Sequence, residues 1–281
     1  MLIIICLLYL GYIIIDKNAH CRERRNIFVA NWRIWTLIGS YFPSHLIVKS
    51  ANTFKTHTPY FFCIHPHGIL SVGALTNFIP ENAGIRKTIK NVEPRICGLK
   101  LALMIPVFRE LLLALGFVSA SPESLRYLAD NGLSAMLVVG GAEEALHAYP
   151  GSTSLVLEKR RGFVKMALET GAQLVPVYIF GENDLFDRIP GLQKLQRWLQ
   201  QKMTFAMPLF YGKLYLPIPY RRTLTTVVGD PIPHPVKGTL DERVDAYHAM
   251  YVKALTDLFE HNVQIYGSDL DKRTARLHLV K

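Results

Sequence analysis

Residues 60–70 read YFFCIHPHGIL. Tyr60 to Ile64 is a short aromatic and β-branched run without a charge, the pattern of a strand buried on both faces, and it delivers a polar loop, His65-Pro66-His67-Gly68. Three other runs have the same form: Ala135 to Val139 before Gly140-Gly141, Gln173 to Phe180 before Gly181-Glu182-Asn183-Asp184, and Leu224 to Val228 before Gly229. Helical periodicity occupies the intervals, over Leu101 to Leu115, Pro122 to Asn131, Gly162 to Thr170 and Asp241 to Glu260. Near-continuous apolar strands alternating with helices specify an α/β fold, with a mainly parallel central sheet flanked by helices. Ligands of such sheets gather beyond the carboxyl ends of the strands. The His65–Gly68 loop, Gly140-Gly141-Ala142-Glu143 and Gly181-Glu182-Asn183-Asp184 are therefore expected to meet at one crevice.

The composition points outward from that sheet to a lipid. Half of the 281 residues are apolar and only 19% are charged, and a mean hydropathy of +0.18 exceeds that of an ordinary solvated domain. Disorder and fibrous structure are excluded. Lys and Arg number 32 against 22 Asp and Glu, a formal charge of +10 that favours anionic partners such as phospholipid head groups or phosphate-bearing cofactors. Nucleic acid is not expected, because the basic residues are not interleaved with aromatics in any recognised motif. Cys6, Cys21, Cys63 and Cys97 have no CxxC spacing, as befits reduced thiols facing the cytosol.

Met1 to Ile15 (MLIIICLLYLGYIII) carries no charge and is followed by Lys17, Arg22, Arg24 and Arg25. A cleaved signal peptide places its charge before the apolar run, so residues 1–15 read as a membrane anchor, a short transmembrane segment or one arm of a hairpin. The basic flank puts the rest of the chain on the cytosolic side. Residues 16–55 form a basic segment in which Ile34, Leu37, Ile38, Tyr41 and Phe42 make a helical stripe up to Pro43, suited to the head-group region or to a core. Residues 56–281 read as one cytosol-facing domain.

His65 and His67, near-neutral imidazoles on a loop after a strand, are candidate general bases. Gly68 lets a backbone approach closely. No Asp occurs between Lys17 and Ala129, so a carboxylate partner has to arrive through the fold; Glu143 and Glu144 are the nearest candidates. A metal site built on Cys63, His65 and His67 is not expected, since no fourth ligand lies nearby. Lys159, Arg160 and Arg161 stand just before a predicted helix, a natural place for phosphate, and Arg109 is a lone cation inside the apolar run Leu101 to Val118.

These segments, together with NWRIWTLIGSYFP from Asn31, FFCIHPHGIL from Phe61, IPVFRELLLALGFVSAS from Ile105, VVGGAEEAL from Val138 and RRGFVKMALETGAQLVPVYIFGENDLF from Arg160, resemble the type 2 diacylglycerol and monoacylglycerol acyltransferase family, which includes wax-alcohol acyltransferases. The resemblance runs from about residue 27 to about residue 265. It implies an endoplasmic-reticulum enzyme, with the lipid droplet as a second location, that moves a fatty acyl group from acyl-CoA to the hydroxyl of a neutral lipid. It also implies a glycerophosphate-acyltransferase-like fold. The His-x4-Asp signature of that wider superfamily has no counterpart here, because the position five beyond His65 is Leu70.

Acyl transfer from a thioester to an alcohol needs a base and donors for the oxyanion, with acyl-CoA as co-substrate and no cofactor or metal. The expected catalytic residues are His65, His67 and Glu143, with His65 slightly ahead because it ends the strand. Arg109, Arg160 and Arg161 are expected to hold the CoA phosphates, and amides around Gly68 or Gly140-Gly141 to bind the oxyanion. Diacylglycerol is the first choice of acceptor, ahead of monoacylglycerol or a long-chain alcohol. A silent lipid-binding protein of the same fold is the rival from another class. A homo-oligomer is compatible with the sequence.

Overall fold

The computed structural model describes residues 2–16, 19–79, 84–189, 191 and 209–280, so Lys17 lies outside the described residues. Its centre is a seven-stranded sheet of β1 (Ser44–Val48), β2 (Tyr60–His65), β3 (Pro94–Gly98), β4 (Val118–Ser119), β5 (Ser134–Val138), β7 (Gln173–Phe180) and β10 (Leu224–Val228). Short β6 (Ser154–Leu155), β8 (Asp187–Arg188), β9 (Phe210–Tyr211) and β11 (His278–Leu279) lie outside it. The order is β1-β10-β7-β2-β5-β3-β4. From β7 to β4 all neighbours are parallel, while β10 turns antiparallel to β7 and carries β1 with it.

β2 is the hub, paired with β5 on one side and β7 on the other. All six of its residues are buried, because a central parallel strand has helices on both faces. Alternation divides them: Phe62 and Ile64 pack with Val175 and Val177 in one cluster, Phe61 and Cys63 with Leu137 and Leu174 in the other. The first cluster is roofed by α4 (Val72–Phe78), α5 (Gly84–Thr88) and α6 (Phe108–Ala114), and the second by α7 (Pro122–Asp130), α9 (Gly162–Thr170) and α10 (Leu240–Tyr266). A capping box between Thr239 and Glu242 starts α10, and Ser121 with Pro122 starts α7.

Three features differ from the sequence reading. Ser44–Val48, placed in the helical segment of residues 16–55, is a strand of the sheet, because α3 (Arg33–Ser40) ends ahead of Pro43 and the chain continues extended beside β10. Leu101 to Leu115 is not one helix. A 3-10 turn at Ala102–Met104 and α6 are separated at Pro106 and Val107, the latter at φ +68°. β3 carries a buried Arg95, paired with Glu23 and Glu93, and this charge hid the strand from an apolar pattern.

At the amino terminus α1 (Leu2–Ile15) is a 14-residue helix, about 21 Å long at ~1.5 Å per residue and shorter than a ~30 Å hydrocarbon core. Among the described residues no helix is long and apolar enough to cross a membrane. Short α2 (Ile27–Ala30) joins α1 to α3, and α8 (Gly141–Ala145) and α11 (Asp269–Thr274) complete the helices described.

Candidate active site

The parallel register of β5, β2 and β7 brings the three polar loops to one end of the sheet, as the strand pattern requires. What joins them is a pair of buried carboxylates. Glu144, in the first turns of α8, accepts the His67 amide on Oε1 at 2.6 Å and the Val156 amide on Oε2 at 2.8 Å. Glu182, two residues beyond the end of β7, accepts the Val72 amide at 2.8 Å and the Gly73 amide at 2.6 Å. Burial pushes both carboxyls up to about 7 from 4.5. Among the described residues, the amides of Gly68, Ile69 and Leu70, between these two clamps, have no partner within ordinary hydrogen-bond geometry, and the loop turns back on itself over residues 68–70.

The two imidazoles have different surroundings. His65 is fully buried, and its Nε2 lies 3.0 Å from the Tyr251 hydroxyl, which donates to the Cys63 carbonyl at 3.2 Å. Since that hydroxyl proton is used, Nε2–H of His65 is the donor and Nδ1 is a buried lone pair without a partner. Burial pushes this ring down to about 3. His67 is only partly buried. Its Nδ1 faces the Gly68 carbonyl at 3.0 Å and the Ser71 hydroxyl at 3.4 Å; with Nδ1–H donated to the carbonyl, Nε2 is the basic nitrogen. Burial lowers the pKa of His67 as well, so both rings are neutral at pH 7. Cys63 is buried in the core with its thiol pushed up by burial.

Glu143 points away from the loop. It pairs with Lys159 at 2.5 Å and with Arg160 at 3.1 Å, while Arg160 also donates to the Gly140 carbonyl at 3.1 Å. Arg161 pairs with Asp245 at 2.8 Å. These half-exposed cations, with Leu125, Leu137 and Phe163, line a cavity of about 400 Å³. Phe163 also packs edge-on against Tyr251, the residue that holds His65, at 5.2 Å between centroids. A second cavity of about 880 Å³ is lined by Gly181, Asp184, Tyr220 and Tyr266 among others.

Arg109 is elsewhere. Its buried guanidinium bonds Asp16 at 2.5 Å and Glu110 at 3.0 Å and lies over the Tyr12 ring at 5.3 Å, fastening the end of α1 to α6. Thus the fold gathers His65, His67 and Gly68 with Glu144, sets Arg160, Arg161 and Glu143 together beside them, and leaves Arg109 apart. Tyr251 and Glu182 were not singled out from sequence. Tyr251 lies on an ordinary helical stripe and carries no local signal; for Glu182 the signal was available, since its loop was one of the three expected to converge.

The family model for diacylglycerol acyltransferase matches residues 1–276. Human acyl-CoA wax alcohol acyltransferase 1 is 37% identical over 274 residues, covering 92% of this chain and 83% of its own length. Diacylglycerol O-acyltransferase 2 of Danio rerio is 38% identical over 280 residues, covering 94% of this chain and 77% of its own length. Among solved structures, the 1-acyl-sn-glycerophosphate (LPA) acyltransferase of Thermotoga maritima matches with a TM-score of 0.46 and 11% identity, over 89% of this chain and 94% of that one. By the family match across nearly its whole length and by relatives above one third identity, the chain belongs to the diacylglycerol acyltransferase family.

Proposed function

We propose that this protein transfers a fatty acyl group from acyl-CoA to the hydroxyl of diacylglycerol, forming triacylglycerol. The observation that carries this reading is the clamped loop: a partly buried neutral imidazole, His67, beside the free amides of Gly68 to Leu70. His67 Nε2 takes the proton of the acceptor hydroxyl as its oxygen attacks the thioester carbonyl carbon. The oxyanion is held by the loop amides. On collapse the carbon–sulfur bond breaks, and the thiolate of CoA leaves with the proton that His67 returns. No covalent link to the protein is needed. His65, which lies beneath the loop against Tyr251, supports it.

The CoA phosphates lie at Lys159, Arg160 and Arg161, next to the cavity of about 400 Å³. Arg109, already committed to Asp16 and Glu110, serves the docking of α1. The same chemistry on a long-chain alcohol is the second reading, favoured by the 37% identity to a wax alcohol acyltransferase.

The reaction takes place on a membrane, that of the endoplasmic reticulum with the domain toward the cytosol. Supporting this, α1 exposes Ile4, Leu7, Leu8 and Ile14, the exposed Val107 donates its amide to Tyr9 of α1, and Phe28 and Leu37 are exposed on the helices that follow in the chain. Lipid contact removes this apolar surface from water.

The deciding experiment offers labelled acyl-CoA with diacylglycerol, monoacylglycerol and long-chain alcohol in parallel to membranes containing the protein. His67→Ala is expected to lose roughly 10²- to 10⁴-fold in turnover while staying folded and membrane-bound. Full activity of His67→Ala ends this mechanism, and the labelled product identifies the acceptor.

A further inference from the structure

Glu182 has a feature that helix capping alone does not require. It is a fully buried carboxyl with no cation paired to it among the described residues, and each of its oxygens is spent on a backbone amide of the segment that follows the HPHG loop. Burying such a group is expensive unless every lone pair that matters is used. The loop is also shaped to admit it. A Cβ placed on Gly68, whose φ is +62°, would stand 2.5 Å from Glu182 Oε1, and one placed on Gly73 would stand 2.5 Å from Oε2. Glycines at both positions thus let one side chain from the turn after β7 wedge beneath the loop from β2. Glutamine could not replace it fully, since its amide nitrogen would face one of the two N–H groups.

We propose that Glu182 is a positioning residue for acyl transfer: pinning Val72 and Gly73 from below holds the free amides of Gly68 to Leu70 at the reacting carbonyl. Glu144 anchors the same loop at its start, through His67, so the amide run is held at both ends. The inference rests on the acyl-transfer reading given above. Because positioning acts on the reacting carbonyl and not on the rest of either substrate, its loss lowers kcat and spares KM. A purely structural cap would lower the melting midpoint and leave the turnover of each folded molecule intact.

The test uses the full chain in lipid nanodiscs, measuring melting midpoint, kcat and both KM values for wild type, Glu182→Gln and Glu182→Ala. Below the melting transition, kcat is expected to fall about 10- to 100-fold with both KM values within about twofold, the glutamine variant retaining more activity than the alanine. Should the Glu182 variants fail to fold, Gly68→Ala approaches the same contact from the other side and is expected to show the same kcat loss. Wild-type turnover in the folded variants, or a rise in KM with kcat unchanged, overturns the positioning role. A wild-type protein that makes no product with any acceptor instead overturns the acyl-transfer reading itself.

Discussion

The carboxylate of Glu144 meets the backbone of His67 and not its ring, with Oε1 accepting the His67 amide at 2.6 Å across 77 residues of sequence. The loop is thus held by its main chain while the imidazole takes its orientation from the Gly68 carbonyl beside it. In a chain without an aspartate near the histidines, the carboxylate contributes by fixing where the base stands.

Substitution at the two adjacent glutamates should therefore give opposite results. Glu144→Gln is expected to lower kcat by about 10- to 100-fold through a displaced loop, whereas Glu143→Gln breaks only half-exposed ion pairs to Lys159 and Arg160 and leaves kcat within about twofold. Gly140→Ala is expected to resemble Glu144→Gln, because its Cβ would overlap the Glu144 carboxyl. Steady-state kinetics on the three variants settles the assignment; an inactive Glu143→Gln with an active Glu144→Gln would reverse it.

The buried groups make stability depend on pH in two opposite senses. Glu182 has its folded pKa raised from 4.5 to about 7, so its contribution is complete below about 4.5 and is lost as pH rises through 7. Between pH 5 and 8 wild type should lose on the order of 3 kcal/mol relative to Glu182→Gln. His65, lowered from 6.5 to about 3, contributes above 6.5 and loses that contribution as pH falls. Relative to His65→Asn, wild type should lose about 2 kcal/mol between pH 6.5 and 5. Denaturation midpoints at pH 5, 6.5 and 8 measure both differences, and parallel curves for variant and wild type would refute them.

For the basic cluster the expected signature is a split between substrates. Arg160→Gln and Arg161→Gln each remove a cation from the cavity of about 400 Å³ and should raise the KM for acyl-CoA roughly tenfold, with the acceptor KM unchanged. Equal changes in both constants would count against a phosphate role.

Arg109→Leu tests the docking of α1. It leaves Asp16 and Glu110 without their shared partner, a loss of about 3 kcal/mol for a mostly buried pair. Faster tryptic cleavage at Arg22 to Arg25 is expected, with an unaltered KM for acyl-CoA. A raised KM with unchanged cleavage would return Arg109 to the CoA site.

The sequence by itself determined the strands at 60–64, 173–180 and 224–228, the helix at 162–170, the α/β class and the loops at which chemistry gathers. Each of these follows from a local pattern: an uncharged β-branched run, a helical period, a glycine at the turn. Edge strand β1 and strand β3 escaped it, one hidden behind a helical stripe that Pro43 ends, the other behind the buried charge of Arg95. Only the tertiary structure decided which glutamate touches the loop, that Tyr251 seals His65, that Glu182 holds residues 72 and 73, and that Arg109 is occupied by Asp16. The reason is separation along the chain. These contacts join residues 77 to 186 positions apart, and their partners are selected by strand order and register, which no periodicity within a single segment encodes.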